Sequence, residues 1–140
     1  MTEELREFLR RPKMLLRRIE GNNAELENLL STMLPQAIVY DRDKVQSSPS
    51  DPMLNYIERY EEVYSEGMQL LNAYMSACKD VSRVTAALPA DQALIVKRRF
   101  LNFEDFDTIG QKAHISRRHV FRLYDAAIET LEKMALNGTQ

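Results

Sequence analysis

The stretch that decides the fold runs from residue 108 to residue 123 and reads TIGQKAHISRRHVFRL. Two helical patterns meet in it. Ile109 and Ala113 lie four apart on the first, Val120 and Leu123 three apart on the second, and Ile115 stands between them. Residues three or four apart share a helix face, so these five can close on one another. Gly110 is the small residue that two crossing helices need where they approach most closely. His114 falls where the chain must leave helical geometry. A positive φ is common at that place; glycine is its usual occupant, and histidine is among the few others tolerated. Ser116 then serves as N-cap, its hydroxyl suited to accept a free N–H of the next turn. The spacing predicts a helix-turn-helix whose second helix begins at Ser116.

That second helix opens with Arg117, Arg118 and His119, and Arg122 lies one turn on. With Val120 and Leu123 facing inward, Arg118 and Arg122 share an outward face, and Arg117 lies beside it. The first turns of this helix are the part that enters a DNA major groove in this architecture. An arginine fork can pair with O6 and N7 of guanine, and it binds phosphate equally well. The candidate DNA-binding residues are Ser116, Arg117, Arg118, His119 and Arg122, with Lys112, Arg98 and Arg99 behind them. Lys97, Arg98 and Arg99 read two ways. They are phosphate contacts, or they are the basic last turn that a helix favours. Lys112 carries the same ambiguity. The bland alternative for the arginine cluster is a solvated helix face.

Outward from this core, three shorter helices are expected at about 90–100, 105–112 and 116–136. Asn102, Glu104 and Asp105 mark the first turn and His114–Ile115 the second; residues 137–140 should fray. Pro89 closes a long helix that starts after Asp51–Pro52, an N-cap followed by proline at the first helical position. Along it, Ile57, Tyr60, Tyr64, Gly67, Leu71, Tyr74, Cys78, Val81, Thr85 and Leu88 alternate spacings of three and four, with Met68 and Met75 flanking. Nearer the start, Leu15, Ile19, Asn22, Leu26, Leu29 and Met33 make a second heptad seam. Asn22 is the polar seam residue that can fix register. A short helix at about 3–10 precedes it. Pro12 is placed in the first turn of the seam helix, Gly21 weakens its middle, and Pro35 ends it near Leu34. The segment DRDKVQSSPSDP, residues 41–52, reads as a loop. Two heptad helices joined by a loop suggest an antiparallel hairpin, a dimer seam, or both.

The domain reading is a helical segment at 1–40, a linker at 41–52, and a long oligomerisation helix at 53–88. The DNA-binding domain follows at 89–136 and a tail at 137–140. The fold class is all-α, with long coiled-coil-like helices followed by the helix-turn-helix.

Length and composition agree with one folded domain, or one domain with an appendage. The chain has 140 residues, 44% hydrophobic and 29% charged, with four glycines, five prolines and no tryptophan. That excludes low-complexity and collagen-like chains and argues against a turn-rich β-sandwich. The single cysteine, Cys78, makes neither an internal disulfide nor a zinc site; it falls on the apolar stripe. His114 and His119 lack partners at metal-ligand spacing, and the aspartates at 41, 43 and 51 lack the glycine and spacing of a calcium loop. No metal or cofactor is expected. No nucleophile–base set or phosphate-cradling loop occurs, so no enzyme and no small-molecule substrate are expected. No run of about 18 apolar residues predicts a membrane span, and the charged start resembles no secretory signal.

Net charge is −2, but it is unevenly spread. Residues 96–122 hold seven basic side chains against three acidic ones, Glu104, Asp105 and Asp107. A basic segment inside an acidic chain points to a local anionic partner. Arg6, Arg10, Lys13 and Arg17 line one face of the first helical stretch. They are a solvated face by default, and a second DNA contact or a site for an acidic partner otherwise.

Residues 87–134, ALPADQALIVKRRFLNFEDFDTIGQKAHISRRHVFRLYDAAIETLEKM, resemble sigma-factor region 4. The shared features are a leucine-proline start, a basic-aromatic helix end, the IG…IS turn and a closing amphipathic helix with Ala126, Ala127, Ile128 and Leu131. Phe121 stands where that family commonly has a basic residue. With the QSSPSDP stretch, Gln46 to Pro52, and the long helices, the whole chain is similar to phage ArpU/RinA-like transcriptional regulators. The resemblance implies a bacterial host cytoplasm, duplex DNA as partner, a homodimer, and control of phage or prophage late genes. It admits host RNA polymerase as a further partner and places Arg117, Arg118 and Arg122 at promoter-reading positions. Two rival readings remain. One is a phage small terminase subunit, which joins a helix-turn-helix to ring-forming helices. The other is a module that contacts polymerase or sigma factor without binding DNA.

Overall fold

The computed structural model describes residues 1–43 and 52–138, with side chains at 1–34 and 52–136. All regular structure among the described residues is helical: α1 (Glu3–Asp43), α2 (Pro52–Thr85), α3 (Ala90–Phe100), α4 (Phe106–Ala113) and α5 (Arg117–Gly138). No described helix is long and apolar enough to cross a membrane. Residues 44–51 of the expected loop, including Asp51, lie outside the described residues.

The expected break at the start is absent, and α1 runs from Glu3 without interruption. Pro12 lies inside it, where proline forfeits one backbone hydrogen bond and costs about 3 kcal/mol. Leu5, Leu9 and Pro12 share a face, and Leu9 and Pro12 are fully buried. Burial of that face offsets the cost. The helix also continues through Pro35 to Asp43, so the expected end near Leu34 is corrected. A proline within an established helix removes one bond without requiring a new nucleus on its far side. At the other end of α2, the helix closes at Thr85 rather than at Pro89. A turn follows, with the Leu88 N–H donating to the Thr85 carbonyl (3.0 Å), and Pro89 begins α3 as its N-cap.

The chain divides into two compact units: Met1–Met14 with Tyr74–Gln140, and Leu15–Ala73. The first draws on both ends of the chain, because the opening turns of α1 and the closing turns of α2 pack with α3 and α5. Leu5, Leu9, Val81, Leu88, Val96, Ala127, Ile128 and Leu131 form one buried cluster of this unit. Ile95, Ile109 and Val120 form a second, all fully buried.

In the unit Leu15–Ala73, α1 and α2 run antiparallel. Asn22 Nδ2 donates to the Val63 carbonyl (2.9 Å), and three residues later Glu25 meets Arg59 (2.6 Å). The α1 seam is the one expected: Leu15 and Asn22 are buried, and Ile19, Leu26, Leu29 and Met33 are half-buried. On α2 the register differs by one residue. Val63 is fully buried, whereas Ile57, Tyr64 and Leu71 are exposed. The cause is Gly67. A methyl group there would collide with Asn22 Oδ1, so glycine lets the Asn22 amide settle onto the α2 backbone. Val63 and Gly67 meet Asn22 there, and Tyr60 and Leu70 on the same face are half-buried.

Candidate nucleic-acid interface

Local chemistry places α4 and α5. The Asp105 carboxylate accepts the Thr108 N–H (2.7 Å) and caps α4. That bond, helped by the Thr108 hydroxyl, holds the Asp105 carboxyl below its ordinary range. At the far end His114 takes the left-handed conformation, φ 57° and ψ 41°. The Ile115 N–H then reaches back to the Gly110 carbonyl (3.0 Å), a Schellman-type closure. The Ser116 hydroxyl accepts the His119 N–H (3.2 Å) and caps α5.

Gly110 is where α5 comes closest. A methyl group there would sit 3.1 Å from the Ile115 carbonyl oxygen and 3.5 Å from Val120 Cγ2. Ile109 and Val120 are locked beneath it with Ile95 from α3, and Phe106, Ile115, Leu123 and Tyr124 seal the edge. Phe121 packs its ring 4.6 Å from that of Phe106. Phe121 thus serves the α4–α5 contact.

The turn before α4 holds an ion cluster that the sequence spacing did not reveal. Glu104 accepts from Arg98 (3.3 Å) and Lys112 (2.9 Å), and its side chain is only 12% exposed. The hydrogen bond from Lys112, reinforced by Arg98, holds the Glu104 carboxyl below its ordinary range. Arg99 donates to the Glu104 carbonyl (3.2 Å) and lies over the Phe106 ring, 4.6 Å from its centroid. Next to Glu104, Phe103 adopts a positive φ of 59°, uncommon for a bulky side chain. The only advance signal was the charge alternation around residues 98–112, which does not say which ends meet.

The eight candidate residues therefore fall into groups. Arg98, Arg99 and Lys112 converge on Glu104 and tie α3 to α4. Ser116 is occupied by its cap. Arg117 is exposed, pairs with Asp107 (3.4 Å) and lies 5.5 Å from the Phe121 ring centroid. His119 is half-buried. Arg118 and Arg122 are exposed on the first two turns of α5, with no ion pair among the described residues. Arg6 and Arg10 of α1 also bear on this region. Burial raises the Tyr124 phenol pKa, and Arg99, Arg10 and Arg6 oppose the rise through their charge. The first half of the basic N-terminal face thus lies within electrostatic reach of α5.

Elsewhere, Cys78 is half-buried, and burial, with Cys78 alongside, raises the Tyr74 phenol pKa. Among the described residues no group of three His, Cys, Asp or Glu side chains could hold a metal ion. The chain was compared with protein-family models, curated proteins and solved structures, and none matches it.

Proposed function

We propose that α4, its turn and α5 form a sigma region 4-like helix-turn-helix. In this reading the chain binds duplex DNA as a homodimer and regulates transcription, with the start of α5 in the major groove. One observation carries it: Arg118 and Arg122 stand one turn apart on the outward face of a helix locked at both its cap and its crossing point. A locked helix presents its cations without a large ordering cost on binding. Arg117 beside them is held by an exposed ion pair, which is weak and exchangeable for a phosphate. The resemblance to phage regulators supports late-gene control as the setting, with the long helices spacing two recognition helices for half-sites one or more turns apart.

The test is duplex binding across a salt series with selection from a random pool. Wild type should enrich a two-half-site motif. Arg118→Ala with Arg122→Ala should flatten the salt slope by about 1.8, at about 0.9 for each phosphate no longer neutralised, and remove the enrichment. Lys112→Ala, which faces Glu104, should leave the motif unchanged. Absence of binding at low salt overturns the reading and favours a protein-contact scaffold.

A further inference from the structure

The α2 helix carries two interleaved heptad stripes, and the described residues cover one of them. Tyr60, Val63, Gly67 and Leu70 face α1. Leu54, Ile57, Tyr64, Met68 and Leu71 do not, and each is between 40% and 53% exposed. With Glu61 they occupy positions 54, 57, 61, 64, 68 and 71, spacings of 3, 4, 3, 4 and 3. Scattered exposed apolar residues are ordinary. A heptad stripe of six positions, running about 25 Å along a helix at 1.5 Å per residue, is the pattern of a seam.

We propose that this stripe pairs with the same stripe of a second copy of the chain, in antiparallel orientation. The charge in the middle decides the occupant and the direction. In a parallel pair each seam residue meets itself, so Glu61 would face Glu61 of the other copy, a like-charge contact at the centre of the interface. In the antiparallel pair, layers form between residues whose numbers sum to 125. Leu54 then meets Leu71, Ile57 meets Met68, and Glu61 meets Tyr64, each layer occurring twice by symmetry. This order is self-complementary, as a two-fold interface requires. Its one charged residue finds the one hydroxyl on the stripe: the Tyr64 phenol donates to the Glu61 carboxylate, a charge-assisted bond. Tyr64 is already stacked on Tyr60, centroids 6.4 Å apart. The five apolar side chains present roughly 450 Å² per copy, near the low end for specific interfaces, so the pairing is of modest affinity.

This pairing deepens the homodimer part of the proposed function and rests on it. It is tested on the full chain by sedimentation equilibrium at tens of micromolar, without DNA. Wild type should show twice the monomer mass. Ile57→Lys and Met68→Glu should each weaken association more than about tenfold, since each leaves a charge against an apolar partner. Their circular dichroism should stay helical, because both side chains are exposed in the single chain. Mixing the two variants should restore association to within about threefold of wild type. The introduced ammonium and the introduced carboxylate then face each other across one layer, and the native pair fills its twin. A parallel pair does not bring those positions together, so a mixture that stays monomeric overturns the orientation. A monomeric wild type, variants that still associate, or a ring of eight or more copies overturns the seam. Failure of the DNA-binding reading is separate: it is a dimer that binds no DNA, whereas a monomer that binds one half-site preserves DNA binding and sinks both the homodimer part of that reading and this pairing.

Discussion

The two compact units use apolar residues in different ways. The unit built on α3, α4 and α5 buries its side chains from several directions, and Ile95, Val96, Ile109 and Val120 are all completely enclosed. The described residues of the unit Leu15–Ala73 form two helices. A helix pair covers one stripe of each partner, so its α1 seam past Leu15 is half-buried apart from Asn22. Where a residue is enclosed on all sides, shape fixes its place. Where only a stripe is covered, two registers compete, and a polar contact chooses between them. The first unit is therefore specified by volume and the second by the contact of Asn22 with the Val63 carbonyl.

Truncation tests that contrast most strongly. Ile109→Ala should destabilise the first unit by about 2–5 kcal/mol, as fully buried isoleucines do. Leu26→Ala in the half-buried seam should cost about 1–2 kcal/mol, on partial loss of a side-chain burial worth about 1.5–3 kcal/mol. Urea midpoints of the two variants decide it. Equal losses would mean that the seam is as enclosed as the core.

The glycines sharpen it. Gly67→Ala should cost about 1 kcal/mol net. Displacing Asn22 leaves a buried amide unpaired, about 1–3 kcal/mol, against about 1 kcal/mol gained in helix propensity. In an Asn22→Ala background the same change should become stabilising, a sign reversal that a thermal-melt double-mutant cycle detects. Gly21→Ala, with open space around it, should stabilise by about 0.5–1 kcal/mol in either background.

The smallest effect at neutral pH lies in the turn between α3 and α4. Glu104 and Asp105 both have lowered carboxyl pKa values in the folded chain. A lowered folded value means stability that is present above the ordinary carboxylate range, about 4, and lost as pH falls through the lowered values. Urea midpoints should therefore drop as pH falls from about 5 to about 3. Glu104→Gln should remove part of that dependence while leaving the Asp105 share. An unchanged pH profile in this variant would mean that the Arg98–Glu104–Lys112 cluster is not held in solution.

The sequence made the α4–α5 corner legible because its parts are local. A left-handed histidine, a serine cap three residues before the N–H it accepts, and a glycine four before the turn all act within one or two helical turns. The same is true of the α3 bounds and of the α1 seam. Glu104 was not legible, since Arg98 and Lys112 lie six and eight residues away and any of several acids could have met them. Nor was the helix through Pro12, where local propensity argues for a break and only burial of Leu9 and Pro12 reverses it.

What the sequence alone determined is the helical character of the chain, the chemistry of the turn between α4 and α5, and the presence of two arginines on an outward face. Tertiary structure decided which of the two α2 stripes is covered and which cations are already engaged. The physical reason is the same in each case. Periodicity tells which residues share a face, but two faces one residue apart are equivalent until a contact such as that of Asn22 with Val63 and Gly67 lowers the free energy of one register below the other.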